Sequence, residues 1–271
     1  MNARTECVRS FFEVPSRYLG ARQYNIRIRR ETIREFLRGS VPESILDIGC
    51  GDGSLSVPLL TSRNRLTLLD LSSAMLSIAS SRISAECQRN VYAVNNDFLA
   101  ANLPQQSYDL ILCVGVLAHV DDVARAIAKI ARLAKPSATV IVELTDCRHA
   151  LSRFWQVYSN LRGLFVPERY VLNNLTCESV YREFARRGFD LAGAYRYSIP
   201  LPGMRRLFGQ NAVYRTIRAL YGTSKSNRNA WLGNEVLLCF KRLERVASHA
   251  DISRHLDSRY VAPGSPQTRV N

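Results

Sequence analysis

The segment Ser44-Ile-Leu-Asp-Ile-Gly-Cys-Gly-Asp-Gly53 restricts the fold of this 271-residue chain more tightly than any other. Residues 45–48 have the composition of a short buried strand, which runs straight into a turn with glycine at 49, 51 and 53. Glycine there lets the backbone turn sharply and approach a ligand closely. The pattern that follows is repetitive. Apolar runs at 65–70, 91–94, 108–114 and 138–144 read as strands. Helical patterns fall between them. One opens at 55–60, one is capped by Ser72 and runs through Met75, Leu76 and Ile78, and one is carried by Val123, Ala126, Ile127, Ile130 and Leu133 and ends at Lys135-Pro136. Strands alternating with helices in this way build an α/β, doubly wound, mostly parallel sheet. Such sheets bind ligands in the crevice at the carboxyl ends of their strands.

After residue 145 the alternation loosens. Thr176 is placed to cap a helix through Val180, Phe184 and Ala185 that Gly188 stops, and 190–198 and 235–240 read as strands. Two segments interrupt them, 146–175 and 199–233, and inserts at strand ends are where substrate caps sit. Residues 1–40 form another helical segment, with Ile33, Phe36 and Leu37 on one face. The expected organisation is an N-terminal helical cap over 1–40, a core domain over 41–246 with cap inserts at about 146–175 and 199–233, and a disordered basic tail over 247–271.

The formal net charge of +14 is unevenly spread. Residues 1–40 carry net +5, residues 41–146 net −3 and residues 147–271 net +12. Basic flanks around a mildly acidic core suit an anionic partner, whether nucleic acid, a lipid surface or an acidic small molecule; they equally suit a solvated arginine-rich surface. No run of about 18 apolar residues is present, so no spanning helix is expected. The N-terminal residues lack an apolar signal region, which points to a cytoplasmic protein. Seven cysteines, an odd number with no Cys-x-x-Cys pair, make neither a disulfide framework nor a zinc site.

The glycine spacing is Gly-x-Gly-x-Gly, unlike the Gly-x-Gly-x-x-Gly of dinucleotide sites, and no lysine follows it as a triphosphate loop requires. Asp47, two residues before Gly49, can accept from a cationic amine. Asp70 ends the second strand, where a carboxylate can accept from both hydroxyls of a ribose. Asp97 follows the third strand and can accept from an adenine amino group while Phe98 or Leu71 covers the ring.

In this order, ILDIGCGDGS, TLLDLSSAML, NNDF and YDLILCVGVLAHVDD resemble the motifs of the class I S-adenosylmethionine-dependent methyltransferase family, over roughly residues 40–145 with a looser echo to 240. They are most similar to the small-molecule branch that includes the ubiquinone and menaquinone biosynthesis and magnesium-protoporphyrin methyltransferases. The resemblance implies S-adenosylmethionine as cofactor, with Asp47, Gly49, Gly51, Asp70, Leu71 and Asp97 as contacts and Val114 near the methionine end. Cys50, Met75 and Phe98 complete the expected contact set. It also implies a Rossmann-like seven-stranded sheet with helical cap inserts, in which 235–240 supplies an antiparallel last strand. One departure is that the usual Lys-Pro-Gly-Gly turn is Lys135-Pro-Ser-Ala138 here, a turn that can still form.

Methyl transfer from an activated sulfonium depends mainly on alignment, and a base is needed only if the acceptor must lose a proton. His119, just past the fourth strand, is the candidate base; its plainer reading is a packing or capping residue beside Asp121-Asp122. Those two acids read more simply as helix caps than as a magnesium set with His119, so no metal is expected. His149 is a second candidate base. No Asn-Pro-Pro-Tyr element or Pro-Cys nucleophile is present, which argues against DNA amino or cytosine C5 chemistry. Phe154, Trp155, Tyr158, Phe165 and Tyr170 either line an acceptor pocket or form a core of the cap. Tyr18, Tyr24, Phe154, Trp155 and Phe208 are placed to cover the cleft, and Arg29, Arg205 or Arg206 to hold an anionic acceptor. The expected function is methyl transfer to a small-molecule acceptor at O, N or C, with anionic and aromatic acceptors among the candidates. An RNA or protein methyltransferase using the basic flanks and a catalytically silent cofactor-binding module stay as alternatives. No RNA-binding module is recognisable, so nucleic acid is not an expected partner, while a peripheral membrane contact through Arg205, Arg206, Arg215 and Arg218 stays open.

Overall fold

The computed structural model describes residues 3–15, 23–153, 172–198 and 204–243. The expected tail at 247–271, most of the insert at 146–175 and the aromatic residues Tyr18, Phe154, Trp155, Tyr158, Phe165 and Tyr170 lie outside the described residues, as do the side chains of Arg205, Arg206 and Phe208.

The strands are β1 (Ser44–Ile48), β2 (Arg65–Asp70), β3 (Val91–Asn95), β4 (Tyr108–Cys113), β5 (Ala134–Thr145), β6 (Phe189–Tyr197), the short pair β7 (Gly222–Thr223) and β8 (Ser226–Asn227), and β9 (Glu235–Arg242). Seven of them form one sheet in the order β3-β2-β1-β4-β5-β9-β6. The pairs from β3 to β5 are parallel, and β9 runs antiparallel between β5 and β6. The doubly wound seven-stranded sheet and its antiparallel last strand are thus as the sequence led one to expect. Every residue of β1 is buried, as suits a central strand covered on both faces.

The helices are α1 (Ala3–Phe12), α2 (Gln23–Leu37), α3 (Ser73–Ser81), α4 (Val123–Leu133), α5 (Cys177–Ala185) and α6 (Met204–Tyr221), the last kinked at Gly209. Their starts follow side-chain chemistry. Ser72 accepts from the amide of Met75, Asp122 from that of Arg125, and Thr176 and Ser179 form a reciprocal capping box. Alternation along β1 divides the core. Leu46 and Ile48 pack with α4 and α5 around Phe184 and Phe240, whereas Ile45 packs with α2, α3 and α6 around Ile28, Tyr195 and Val213. Arg218 of α6 pairs with Glu31 at 3.3 Å and with Glu35, fastening α6 to α2.

One expectation fails. Residues 55–60 do not open an α-helix; the chain there makes turns and a single 3-10 turn, Val57–Leu59. Pro58 at its start has no amide hydrogen to give, and only eleven residues separate Gly53 from Arg65. Ser137, standing where the related turn has glycine, takes φ +61° inside β5, within the stretch where its register against β4 shifts. Among the described residues no helix is long and apolar enough to cross a membrane.

Candidate functional site

The turn after β1 is held to its neighbour by backbone. The amides of Gly49 and Cys50 both donate to Leu69 O, at 2.7 and 3.0 Å. Gly49, Gly51 and Gly53 take φ of +65°, +53° and +71°, which only glycine adopts without strain. A side chain at Gly49 would meet Val116 Cγ2 at 2.4 Å, but one at Gly51 would meet nothing within 4 Å. The turn therefore presents bare backbone to open space at Gly51.

Asp70, at the tip of β2, faces this turn. Its Oδ2 accepts from the Gly51 amide at 2.8 Å and its Oδ1 from the Ser72 amide at 2.9 Å. Burial lifts its carboxyl above the ordinary range, the two amides act the other way, and Glu13 adds repulsion. A carboxylate has about four acceptor positions, so two donors leave room for two more. Leu71 is half-buried beside it, and its carbonyl accepts from Asn95 Nδ2 at 2.9 Å.

Asp47 lies at the carboxyl end of β1, 2% exposed. Its Oδ2 and the Ser56 hydroxyl are both enclosed without a hydrogen-bond partner. Desolvation raises the Asp47 carboxyl to about 7; the nearby Ser56 hydroxyl opposes this, and the carboxylates of Asp70 and Asp52 reinforce it. A buried carboxylate oxygen without a donor is costly, and a cationic group would relieve it.

Cys50, Met75 and Val114 are buried at 7%, 0% and 9% exposure. Burial, with Asp47 and Asp70 nearby, pushes the Cys50 thiol far up, so it stays protonated. Asp97 Oδ1 accepts from the amides of Leu99 and Ala100 at 2.7 and 3.1 Å, which shapes the turn after β3. Phe98 is buried in the core on the α4 side, where Lys129 Nζ stands 5.1 Å from its ring centre and donates to the Phe98 carbonyl at 2.5 Å.

Helix α1 lies across the carboxyl edge of the sheet. Ser72 Oγ donates to Phe12 O at 3.0 Å, and Arg4 Nη2 donates to Ala118 O at 3.0 Å. The Phe12 ring meets His119 edge-on at 6.1 Å. Burial, followed by the charge of Arg4, holds the His119 imidazole down at about 4. His119 is therefore neutral at physiological pH and weakly basic. His149 is committed elsewhere. Its Nδ1 accepts from the Leu151 amide at 3.2 Å, so its Nε2 carries the proton that bonds Trp231 O at 2.8 Å, and no lone pair is left to serve as a base.

Arg29, expected to be available for an anionic acceptor, is already taken. It makes a two-pronged pair with Glu143, Nε to Oε1 and Nη2 to Oε2, both at 2.6 Å, and Glu143 is 3% exposed. Tyr197 donates to the same carboxylate at 3.2 Å. The apolar run of β5 gave no hint that Glu143 would need an inward cation. Tyr24 is buried against α6, where its amide donates to Gln210 Oε1 at 3.1 Å.

The fold and the order of these motifs recur in known proteins. Residues 46–140 match a family model described as a methyltransferase domain. A ubiquinone biosynthesis O-methyltransferase of Hydrogenovibrio crunogenus is 31% identical over 147 residues, covering 54% of this chain and 56% of that protein. An uncharacterized methyltransferase of Mycobacterium tuberculosis is 26% identical over 119 residues, 44% of this chain and 59% of the other. The chain thus spans little more than half the length of these relatives. Among solved structures, a SAM-dependent methyltransferase of Thermotoga maritima superposes with a TM-score of 0.63 at 18% identity, over 89% of this chain and 100% of that one. Magnesium protoporphyrin IX methyltransferase of Synechocystis, solved with bound S-adenosylhomocysteine, gives 0.60 at 18% identity over the same shares.

Proposed function

We propose that this protein transfers the methyl group of S-adenosylmethionine to a small-molecule acceptor. The observation that carries this reading is the pairing of Asp70 with the Gly51 amide across the open turn. A nucleoside lying there meets a carboxylate with acceptor positions to spare and a backbone without side chains. In this reading Asp70 takes the ribose hydroxyls, the 49–51 backbone supports the amino-acid end, and Asp47 balances its ammonium group. Leu71, Met75, Val114 and the 97–98 turn shape the remaining walls, with Asp97 toward the adenine amino group and Phe98 fixing the turn from within the core. When bound, the cofactor supplies an electrophilic methyl group, so the protein's part is to align the acceptor and exclude water. Helix α1 serves as part of the cover, and His119 serves as packing more than as a base, given its depressed basicity. The reading places the protein in the cytoplasm, which its seven free thiols support.

The test is direct. Calorimetric titration of the full chain with S-adenosylhomocysteine should give saturable one-to-one binding, and incubation with S-adenosylmethionine and a panel of phenols, amines and carboxylic acids should release S-adenosylhomocysteine with at least one of them. Absence of any saturable binding at millimolar nucleoside would reject the reading.

A further inference from the structure

A pocket of about 390 Å³ opens beside the glycine turn, between α2 and α6, and neither Asp70 nor Asp97 lines it. Three guanidinium groups do: Arg27 and Arg30 of α2, and Arg82 just past α3. The only carboxylate among its described lining residues is Asp52. The charges are unequally matched. Arg82 pairs with Asp52 at 2.7 Å, and its Nη1 donates to Ser54 Oγ at 2.6 Å. Arg27 pairs with Glu31 at 3.0 Å and lies 3.8 Å over the ring of Tyr214. Arg30 is half-buried, makes no ion pair among the described residues, and its Nε is enclosed without a hydrogen-bond partner.

Arg30 is the one guanidinium among the described lining residues with no carboxylate partner, and a carboxylate or phosphate is the group that matches its remaining donors. The amide of Asn211 and the Tyr214 ring, on the facing wall, add a polar and an aromatic surface. Asp52 and Ser54 belong to the loop that continues directly from the glycine turn, so a molecule anchored here lies within one loop's width of the proposed cofactor position. We propose that Arg30 anchors a carboxylate or phosphate of the acceptor in this pocket; this rests on the methyltransferase reading above and adds the charge of its substrate. The pocket disfavours cationic acceptors, because Arg27 and Arg82 are each matched by a carboxylate and Arg30 leaves one positive charge over.

The experiment uses the full chain saturated with S-adenosylhomocysteine and two probes, benzoate and inorganic phosphate, titrated by calorimetry. At least one should bind, the stronger identifying the preferred oxyanion. Arg30→Gln should weaken that binding about 10- to 100-fold, the effect of losing a charged hydrogen bond. Arg30→Lys should keep part of it, and Arg186→Gln, just past α5, should leave it unchanged. Melting temperature and S-adenosylhomocysteine affinity of each variant report whether it is folded. With an acceptor in hand, Arg30→Gln should raise KM for the anionic form and leave KM for its neutral ester alone. The proposal is overturned if neither probe binds, if Arg30→Gln binds as the wild type does, or if the probe displaces S-adenosylhomocysteine, which would make the pocket the cofactor's own subsite. Failure of the methyltransferase reading looks different: S-adenosylhomocysteine would not bind, while the probes would still distinguish wild type from Arg30→Gln.

Discussion

The carboxylate of Asp70 accepts the amide hydrogen of Gly51 at 2.8 Å, so the tip of β2 and the turn after β1 are one hydrogen-bonded unit. Removing the carboxylate acts on both. Asp70→Ala leaves the Gly51 and Ser72 amides without their acceptor and deletes the proposed ribose contact. S-adenosylhomocysteine affinity should fall by about 30- to 1000-fold, the equivalent of roughly 2–4 kcal/mol. Calorimetry on the purified variant checks this, and wild-type affinity would remove Asp70 from the site.

Two of that turn's glycines, Gly49 and Gly51, should respond differently to a methyl group. Gly51→Ala adds a Cβ that meets no protein atom within 4 Å, so its cost in stability is the left-handed backbone alone, about 1–2 kcal/mol. Gly49→Ala must also push Val116 aside and should lose more in urea denaturation. Cofactor affinity should show the opposite weighting, with Gly51→Ala losing more than its modest instability explains. Unimpaired binding by folded Gly51→Ala would mean the ligand passes elsewhere.

Asp47 makes stability depend on pH. Its carboxyl is raised from 3.8 to about 7, so below pH 4 it is protonated in folded and unfolded chains alike and costs nothing. Between pH 4 and 7 the unfolded chain ionises first, and the native state loses stability relative to it, up to about 4 kcal/mol in total. Asp47→Asn removes this titration. The variant should gain on the wild type steadily in melting temperature from pH 4 to pH 7 and no further above. A gap that stays constant across this range would show that Asp47 ionises normally.

His119 supplies the reverse slope. Its imidazole is held at about 4, so the native state favours the neutral ring. The associated stability is present above the ordinary value of 6.5 and is lost as pH falls from there toward 4. In a nuclear magnetic resonance titration the His119 ring signals should stay at their neutral positions down to pH 5. A midpoint near 6.5 would mean that the ring is solvated and not packed against Phe12.

Features carried by local chemistry were legible in the sequence, and features made by convergence were not. Ser72, Asp122 and Thr176 announce helix starts because a side-chain oxygen two or three residues ahead of an amide is a local arrangement. The glycine turn and Asp70 were legible for a similar reason: each sits at the end of an apolar run. The 55–60 segment misled because its apolar residues have helical spacing, while Pro58 and the short distance to β2 decide its conformation. Arg29 could not be assigned from its own neighbourhood, since its partner Glu143 is 114 residues away in a strand that otherwise reads as apolar. The arginine-lined pocket was invisible for the same reason, as its walls come from α2, the glycine loop and α6.

The place of β9 has a consequence for synthesis. It is the last strand of the sheet in chain order, yet it lies between β5 and β6 and pairs with both. While the chain emerges from the ribosome, β5 therefore waits with one edge unpaired, and β6 has no neighbour in the sheet until Glu235–Arg242 arrives. A nascent chain stopped short of that strand exposes two apolar edges with a gap of one strand between them. Such an intermediate is open to pairing with other chains, so the last strand to be made is also the one that closes the sheet against aggregation.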